Sequence, residues 1–182
     1  MEMGDAVEEP GRADEASRER NRVRRATASD VPLILALIRE LATYEREPDA
    51  VVATEADLLR DGFGREPRFF VLIGEHDGEP IAFAFYFFTY STWRGRPCLY
   101  LEDVFVRPSH RRKGMGLELL RALAAIAVEQ RCDRFVWQVL DWNAPAIAFY
   151  EGLGARALRE WITMRVEGDA IARLAAGSAV AA

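Results

Sequence analysis

Apolar and polar positions along this chain follow two different periods, and each change of period marks an element. Ile34, Leu37, Ile38 and Leu41 recur at i, i+3, i+4 and i+7, which places them on one stripe of a helix. Thr27, Ser29 and Asp30 stand ahead of that stripe as N-cap candidates, and Pro32 suits a first helical turn. Val23 to Ala26, just before, reads as a short strand. Thr54 caps a second, shorter helix that runs through Leu58 and Leu59 to a stop at Gly62. Two β-rich runs, Phe69 to Gly74 and Pro80 to Thr89, flank Asp77-Gly78, a dipeptide typical of two-residue hairpins. A second hairpin turns near Trp93 to Gly95 and leads into Cys98 through Val106. From Gly114 to Gln130 the period is helical again, with Leu119, Leu120, Leu123, Ile126 and Ala127 on the apolar side. Phe135 to Leu140 is continuously apolar, as a strand buried between layers would be. Pro145 to Gly152 reads as a short helix ended by Gly154, and Trp161 to Val166 as a last strand. The order β-α-α-β-β-β-α-β-α-β is a meander followed by a βαβ unit. It predicts an α/β (α+β) fold whose mixed, mostly antiparallel central sheet is flanked by helices on both faces.

Composition narrows the functional classes. The chain has 182 residues, half of them hydrophobic, which is enough for one ordinary core. The first 22 residues hold seven acids and four bases with almost nothing to bury, so they read as a disordered charged tail. The domain then spans residues 23–167, and 168–182 form an alanine-rich tail that frays or makes a loose helix. The longest apolar run, Ile81 to Phe88, is far short of the roughly 18 residues a membrane span needs. The polar, acidic start does not resemble a signal peptide, so a cytoplasmic address is expected. Cys98 and Cys132 are too far apart for a zinc or redox motif, and the two histidines form no HExxH cluster. Free thiols and no protein-bound metal are therefore expected. A net charge of −5 argues against nucleic acid and in favour of a cationic partner.

The chemistry centres on Arg111-Arg112-Lys113-Gly114-Met115-Gly116, between an apolar strand and an amphipathic helix. Glycines two apart let the main chain approach a ligand, and the free N–H groups of a helix start bind anions. A bare Gly-x-Gly is also compatible with an ordinary strand-to-helix turn. A dinucleotide fold is disfavoured because its glycines follow the first strand, and a P-loop lacks its Gly-Lys-Ser/Thr. Ser109 and His110 have no nucleophile elbow to go with them.

Arg111-x-x-Gly114-x-Gly116 resembles the coenzyme A signature of the GNAT superfamily, and Asn143-x-x-Ala146-x-x-Phe149-Tyr150-x-x-Leu153-Gly154 resembles its second motif. Leu99 to Val106, Phe88-Thr89-Tyr90 with Trp93, Tyr44-Glu45, and Leu58-Leu59-x-Asp61-Gly62-Phe63-Gly64 are similar to the diamine and thialysine acetyltransferase branch. The resemblance runs from about Val23 to Val166. It implies the GNAT fold, acetyl-coenzyme A as cosubstrate, a small primary amine as acceptor and a homodimer.

By the same resemblance, Val104, Phe105 and Val106 belong to the strand whose main chain holds the pantetheine arm. Arg111, Arg112, Lys113, Gly114, Met115, Gly116 and Leu117 would surround the pyrophosphate, with Asn143 and Ala146 at the second motif. Asn143 is also suited to be only an N-cap. Tyr150 would return a proton to the departing thiolate, a role its phenol fits because it stays protonated at neutral pH. An alkylammonium must lose a proton before it attacks, and Glu102 would receive it through water, unless it merely pairs with an arginine. Asp103 alternates to the opposite face of the strand. Tyr44, Glu45 and Trp93 would line the acceptor side, with Glu47 and Asp49 thickening the acidic loop. Ser91 stands where the diamine branch carries an acid, which removes one carboxylate from that side. Leu153 stands where the branch is often basic, which leaves phosphate charge to the Arg111 to Lys113 cluster. Direct attack without a covalent enzyme intermediate follows. The alternatives are a protein lysine or N-terminal acetyltransferase, and a silent acetyl-coenzyme A-binding regulator.

Overall fold

The computed structural model describes residues 20–177, which divide after Gln138 into two compact units. In the first, five strands lie side by side in chain order: β1 (Asn21–Arg25), β2 (Phe70–His76), β3 (Glu79–Ser91), β4 (Arg96–Val106) and β5 (Arg134–Trp137). The first four pair antiparallel, and β5 runs parallel to β4, as a mixed, mostly antiparallel sheet requires. The β2–β3 hairpin turns on Asp77 (φ 52°) and Gly78 (φ 79°), two left-handed residues whose twist suits the paired strands.

Helices α1 (Val31–Tyr44) and α2 (Glu55–Gly62) precede β2. The Thr54 hydroxyl accepts from the Asp57 N–H while the Asp57 carboxylate accepts from the Thr54 N–H, so the expected cap is a reciprocal box. Ile34, Leu37 and Leu41 of α1 are buried against Val71, Ile73, Phe83 and Phe105, the large side chains of one sheet face. Each such burial contributes about 1.5–3 kcal/mol. The opposite face carries Gly74, Ala82 and Ala84, and there α3 (Met115–Glu129) packs with Met115, Leu119 and Leu123 fully buried. A Cβ at Gly74 would stand 2.5 Å from Met115 Sδ and 3.1 Å from Ala82 Cβ. The small residues thus let the N-terminus of α3 settle close to the sheet.

Four boundaries or elements differ from the sequence reading. The first strand begins at Asn21, not Val23, because Asn21 to Arg25 pair in register with His76 to Leu72 despite their polarity. Arg20, also assigned to the tail, forms an ion pair with Asp77; residues 1–19 lie outside the described residues. β5 stops at Trp137 instead of Leu140, since its pairing with β4 covers only Cys98 to Leu101. Trp161 to Val166 is not a strand: the second unit contains α4 (Ala144–Gly152) and α5 (Asp169–Ala175) but, among the described residues, no strand to pair with it. Among the described residues, no helix is long and apolar enough to cross a membrane.

Arg24 ties the edge strand to its neighbours. Its guanidinium donates to Asp30, just ahead of α1, at 2.8 Å and to Glu75 of β2 at 2.6 Å. Arg24 therefore holds the Asp30 carboxyl well below the usual carboxylate range.

Replacing Gly74 with alanine should overpack the contact with Met115 and Ala82 and lower stability by about 1–3 kcal/mol in urea unfolding. An unchanged midpoint would show that α3 does not depend on this close approach.

Candidate active site

β4 is bordered by β3 along its whole length but by β5 only from Cys98 to Leu101. At that limit the β3 register shifts, so that Tyr86 faces Leu101 and Phe85 faces Asp103, leaving Glu102 as the extra residue of a bulge. Beyond it, Arg107 N–H donates to Ile81 C=O at 3.0 Å, which makes that pair a hydrogen-bonded one. Hydrogen-bonded and open pairs alternate in an antiparallel ladder, so the N–H and C=O groups of Val104 and Val106 point away from β3. They face the side that β5 has left. An extended ligand carrying amides has a strand edge to bind there.

The loop from Arg107 to Gly114 joins this edge to α3 and is fastened at three places. Arg107 donates to both Glu40 carboxylate oxygens, the closest at 2.8 Å, and to Pro80 C=O at 3.0 Å. Arg111 Nε donates to Val106 C=O at 3.1 Å while its guanidinium lies 4.2 Å from the centre of the Tyr44 ring. Lys113 C=O accepts from Asn21 Nδ2 at 2.8 Å. Arg112 (φ 63°) and Gly114 (φ 83°) are both left-handed, which folds the loop back before α3 begins. Only glycine takes that conformation without cost, so Gly114 is required by the turn itself. Gly116 differs. A Cβ there would meet nothing closer than Val106 Cγ2 at 4.0 Å, so the fold does not require glycine at this position and the space before it is open. The first-turn N–H groups of Met115, Gly116 and Leu117 have no intrahelical acceptor, and together with the helix dipole they favour an anion. The residues present therefore fit a diphosphate at the helix start and an extended arm along Val104 and Val106.

The acceptor-side residues fall into two groups. Tyr44 and Glu45 end α1 beside Arg111, and burial pushes the Glu45 carboxyl up. Asp103, which strict alternation leaves without a role, is half-buried, and desolvation followed by the charges of Glu102 and Glu45 raises it to about 6. Glu102 itself is exposed. Asp103 thus feels the charge of both Glu102, beside it at the bulge, and Glu45 at the end of α1. Trp93 is not with them: it lies in the β3–β4 turn, 88% exposed. About 23 Å of strand separates Arg96 from Asp103, at roughly 3.3 Å per residue. Ser91 belongs to that far end too, its hydroxyl accepting from Arg94 N–H at 3.3 Å and from Arg134 at 3.4 Å. Within this unit, then, the serine takes nothing away from the carboxylates around Asp103.

Asn143, Ala146 and Tyr150 lie in the second unit, on and just before α4. Asn143 Oδ1 accepts from Ala146 N–H at 3.4 Å, so its side chain serves as an N-cap. Tyr150 is half-buried in the last turn of α4, with its ring 5.5 Å from that of Phe149. Cys98 is buried and Cys132 half-buried, both as free thiols, and burial pushes the Cys132 thiol up.

Asn21, Arg107 and Asp103 were missed from sequence. The Asn21 contact spans 92 positions, and no local pattern marks it. Asp103 was set aside by strict alternation, which the bulge breaks.

Comparison with known proteins agrees with this geometry. The model of the acetyltransferase (GNAT) family matches residues 34–155, crossing both units. The chain is 42% identical over 164 residues to thialysine N-epsilon-acetyltransferase of Sus scrofa, covering 84% of this chain and 96% of that one. It is 32% identical to an L-ornithine N5-acetyltransferase of Arabidopsis thaliana, covering 91% of this chain and 94% of that one. Among solved structures, an integron cassette protein from the mobile metagenome of V. cholerae superposes with a TM-score of 0.73 at 28% identity, covering 86% of this chain and 98% of that one. The fold, the parted strand, the glycine turn and these relatives agree: the chain belongs to the GNAT family of acetyltransferases.

Proposed function

We propose that this protein transfers the acetyl group of acetyl-coenzyme A to the terminal primary amine of a small aliphatic, cationic acceptor, by direct attack of the amine. The observation that carries the reading is the parting of β4 from β5 beside the amide-lined start of α3. Acetyl-coenzyme A, when bound, supplies an activated acyl group as a thioester. Val104 and Val106 offer main-chain partners to its amide-bearing arm, and Met115, Gly116 and Leu117 offer N–H groups to its diphosphate. Arg112 and Lys113 add positive charge at the same turn. The acceptor side is acidic, as an ammonium needs: Glu45 and Asp103 hold the distal charge, and Glu102, exposed at the bulge, takes the proton through water. Tyr150 is the proton donor to the leaving thiolate. The named relatives support an acceptor with an amine on an aliphatic chain, a thialysine-like or an ornithine-like amino acid, and the motifs shared with the diamine branch add a diamine. We infer also a homodimer working in the cytoplasm. In support, Trp161, Ile162 and Met164 are 71%, 82% and 87% exposed in the single chain. Light scattering should give twice the chain mass of 20.5 kDa, and a monomer at assay concentration would remove this part.

A panel of thialysine, lysine, ornithine, diamines and a lysine-bearing peptide, assayed by thiol release from acetyl-coenzyme A, tests the reading. Free amines should be preferred over the peptide, and Tyr150→Phe should turn over about 10- to 1000-fold more slowly with coenzyme A binding kept. Preference for the peptide, or thiol release that no amine accelerates, would refute it.

The raised carboxyl of Asp103 has a consequence for stability. A folded value of about 6 lies above the ordinary 3.8, so its contribution is fully present below 3.8 and is lost as pH rises through 6. Asp103→Asn should therefore be more stable than the native chain above pH 6, by at most on the order of 3 kcal/mol at about 1.4 kcal/mol per pKa unit. The gap should close as pH falls toward 4. The variant should also bind a diamine more weakly. A stability gap that does not change with pH would show that Asp103 is not held near 6.

A further inference from the structure

We propose that Asn21, on the edge strand β1, is a positioning residue for the diphosphate cradle, with His76 setting its orientation. The proposal rests on the acetyl-coenzyme A reading above and adds a residue outside the glycine turn to it. Asn21 Nδ2 donates to Lys113 C=O at 2.8 Å. In a trans peptide the carbonyl of one residue and the N–H of the next point in opposite directions. Pinning Lys113 C=O against β1 therefore turns the Gly114 N–H to the other side of the loop, away from β1 and into the turn that precedes α3. Arg112 and Gly114 are both left-handed and α3 begins only at Met115, so this peptide plane lies outside the regular helical ladder. The Asn21 amide restrains it from a strand distant in sequence.

The amide cannot be reversed. A carbonyl only accepts, so the end facing Lys113 is the NH2 group, and the Asn21 oxygen then faces His76 Nδ1 at 2.8 Å and accepts its proton. His76 sits directly opposite Asn21 in the β1–β2 register. Its ring is 7% exposed and lies edge-on to that of His110, 5.9 Å between centres, on the same loop. Two strands thus hold one peptide plane of the loop between β4 and α3 through a single amide whose two ends are both engaged.

The test compares donors with and without the diphosphate. Asn21→Leu removes the donor but leaves His76 Nδ1 buried without an acceptor, so it is paired with the double variant Asn21→Leu/His76→Phe, in which both polar groups are replaced. Loss of one well-placed hydrogen bond and of the orientation it enforces should raise the calorimetric Kd for coenzyme A about tenfold in both variants. KM for acetyl-coenzyme A should rise in proportion with kcat retained, while kcat/KM for acetyl-pantetheine, which lacks the diphosphate, should not change. Equal loss with both donors would mean general damage, and native coenzyme A affinity in the folded double variant would mean Asn21 positions nothing; either overturns the proposal. If the native chain itself fails to bind coenzyme A, the acetyl-coenzyme A reading fails with it, whereas tight native binding that the variants share sinks only the role of Asn21.

Discussion

A strand that loses a neighbour partway along its length must find other partners for its main-chain polar groups, and β4 is such a strand. Its ladder to β5 ends at Leu101, while the ladder to β3 continues to Val106. The N–H and C=O groups of Val104 and Val106 are left facing a gap instead of a strand. In a finished sheet that would be an unfavourable edge, and here part of it is satisfied by Arg111, whose Nε reaches Val106 C=O. The bulge at Glu102 marks the same place, since an extra residue there bends β4 and increases its twist. The gap, the bulge and the acidic cluster thus have one origin in the fold.

Charge is used sparingly around this gap. The sequence places three cations in a row at Arg111, Arg112 and Lys113 and invites a reading in which they neutralise phosphates. Arg111 is instead stacked on Tyr44 and bonded to Val106, joining the end of α1 to the loop. Arg107 is likewise engaged with Glu40 and Pro80. What the turn offers an anion is chiefly directed N–H groups, which lose little entropy on binding because the loop is already fastened.

Features carried by local chemistry were legible in the sequence. The stripe of α1, the Thr54 cap and the Asp77-Gly78 turn each depend on a few consecutive residues, and each is present. The sequence reading starts β1 only at Val23 because Asn21 and Arg22 continue the polar, charged run of the tail. An edge strand tolerates them, and Arg24 makes use of its charge with Asp30 and Glu75. Trp161 to Val166 has the composition of a strand, yet among the described residues its own unit contains no strand to complete its hydrogen bonds. Asp103 was discounted because alternation was assumed to continue through position 102, where the ladder in fact shifts by one. Pairing partners and register are long-range properties, and these are what the linear pattern could not supply.

The division of labour between main chain and side chain bears on how one fold accepts several amines. The features that fit the acyl donor, the Val104 and Val106 amides and the start of α3, are backbone groups fixed by strand parting and by glycine. They tolerate substitution as long as the turn survives. The features that fit an acceptor, Glu45, Glu102 and Asp103, are side chains, one at the end of a helix and two at a bulge. Each can change without disturbing the sheet, and a half-buried carboxylate such as Asp103, raised by desolvation, costs stability that its replacement would return. Desolvation works against the charge of Asp103, and a bound cation would offset that cost, which is how this carboxylate suits a cationic acceptor.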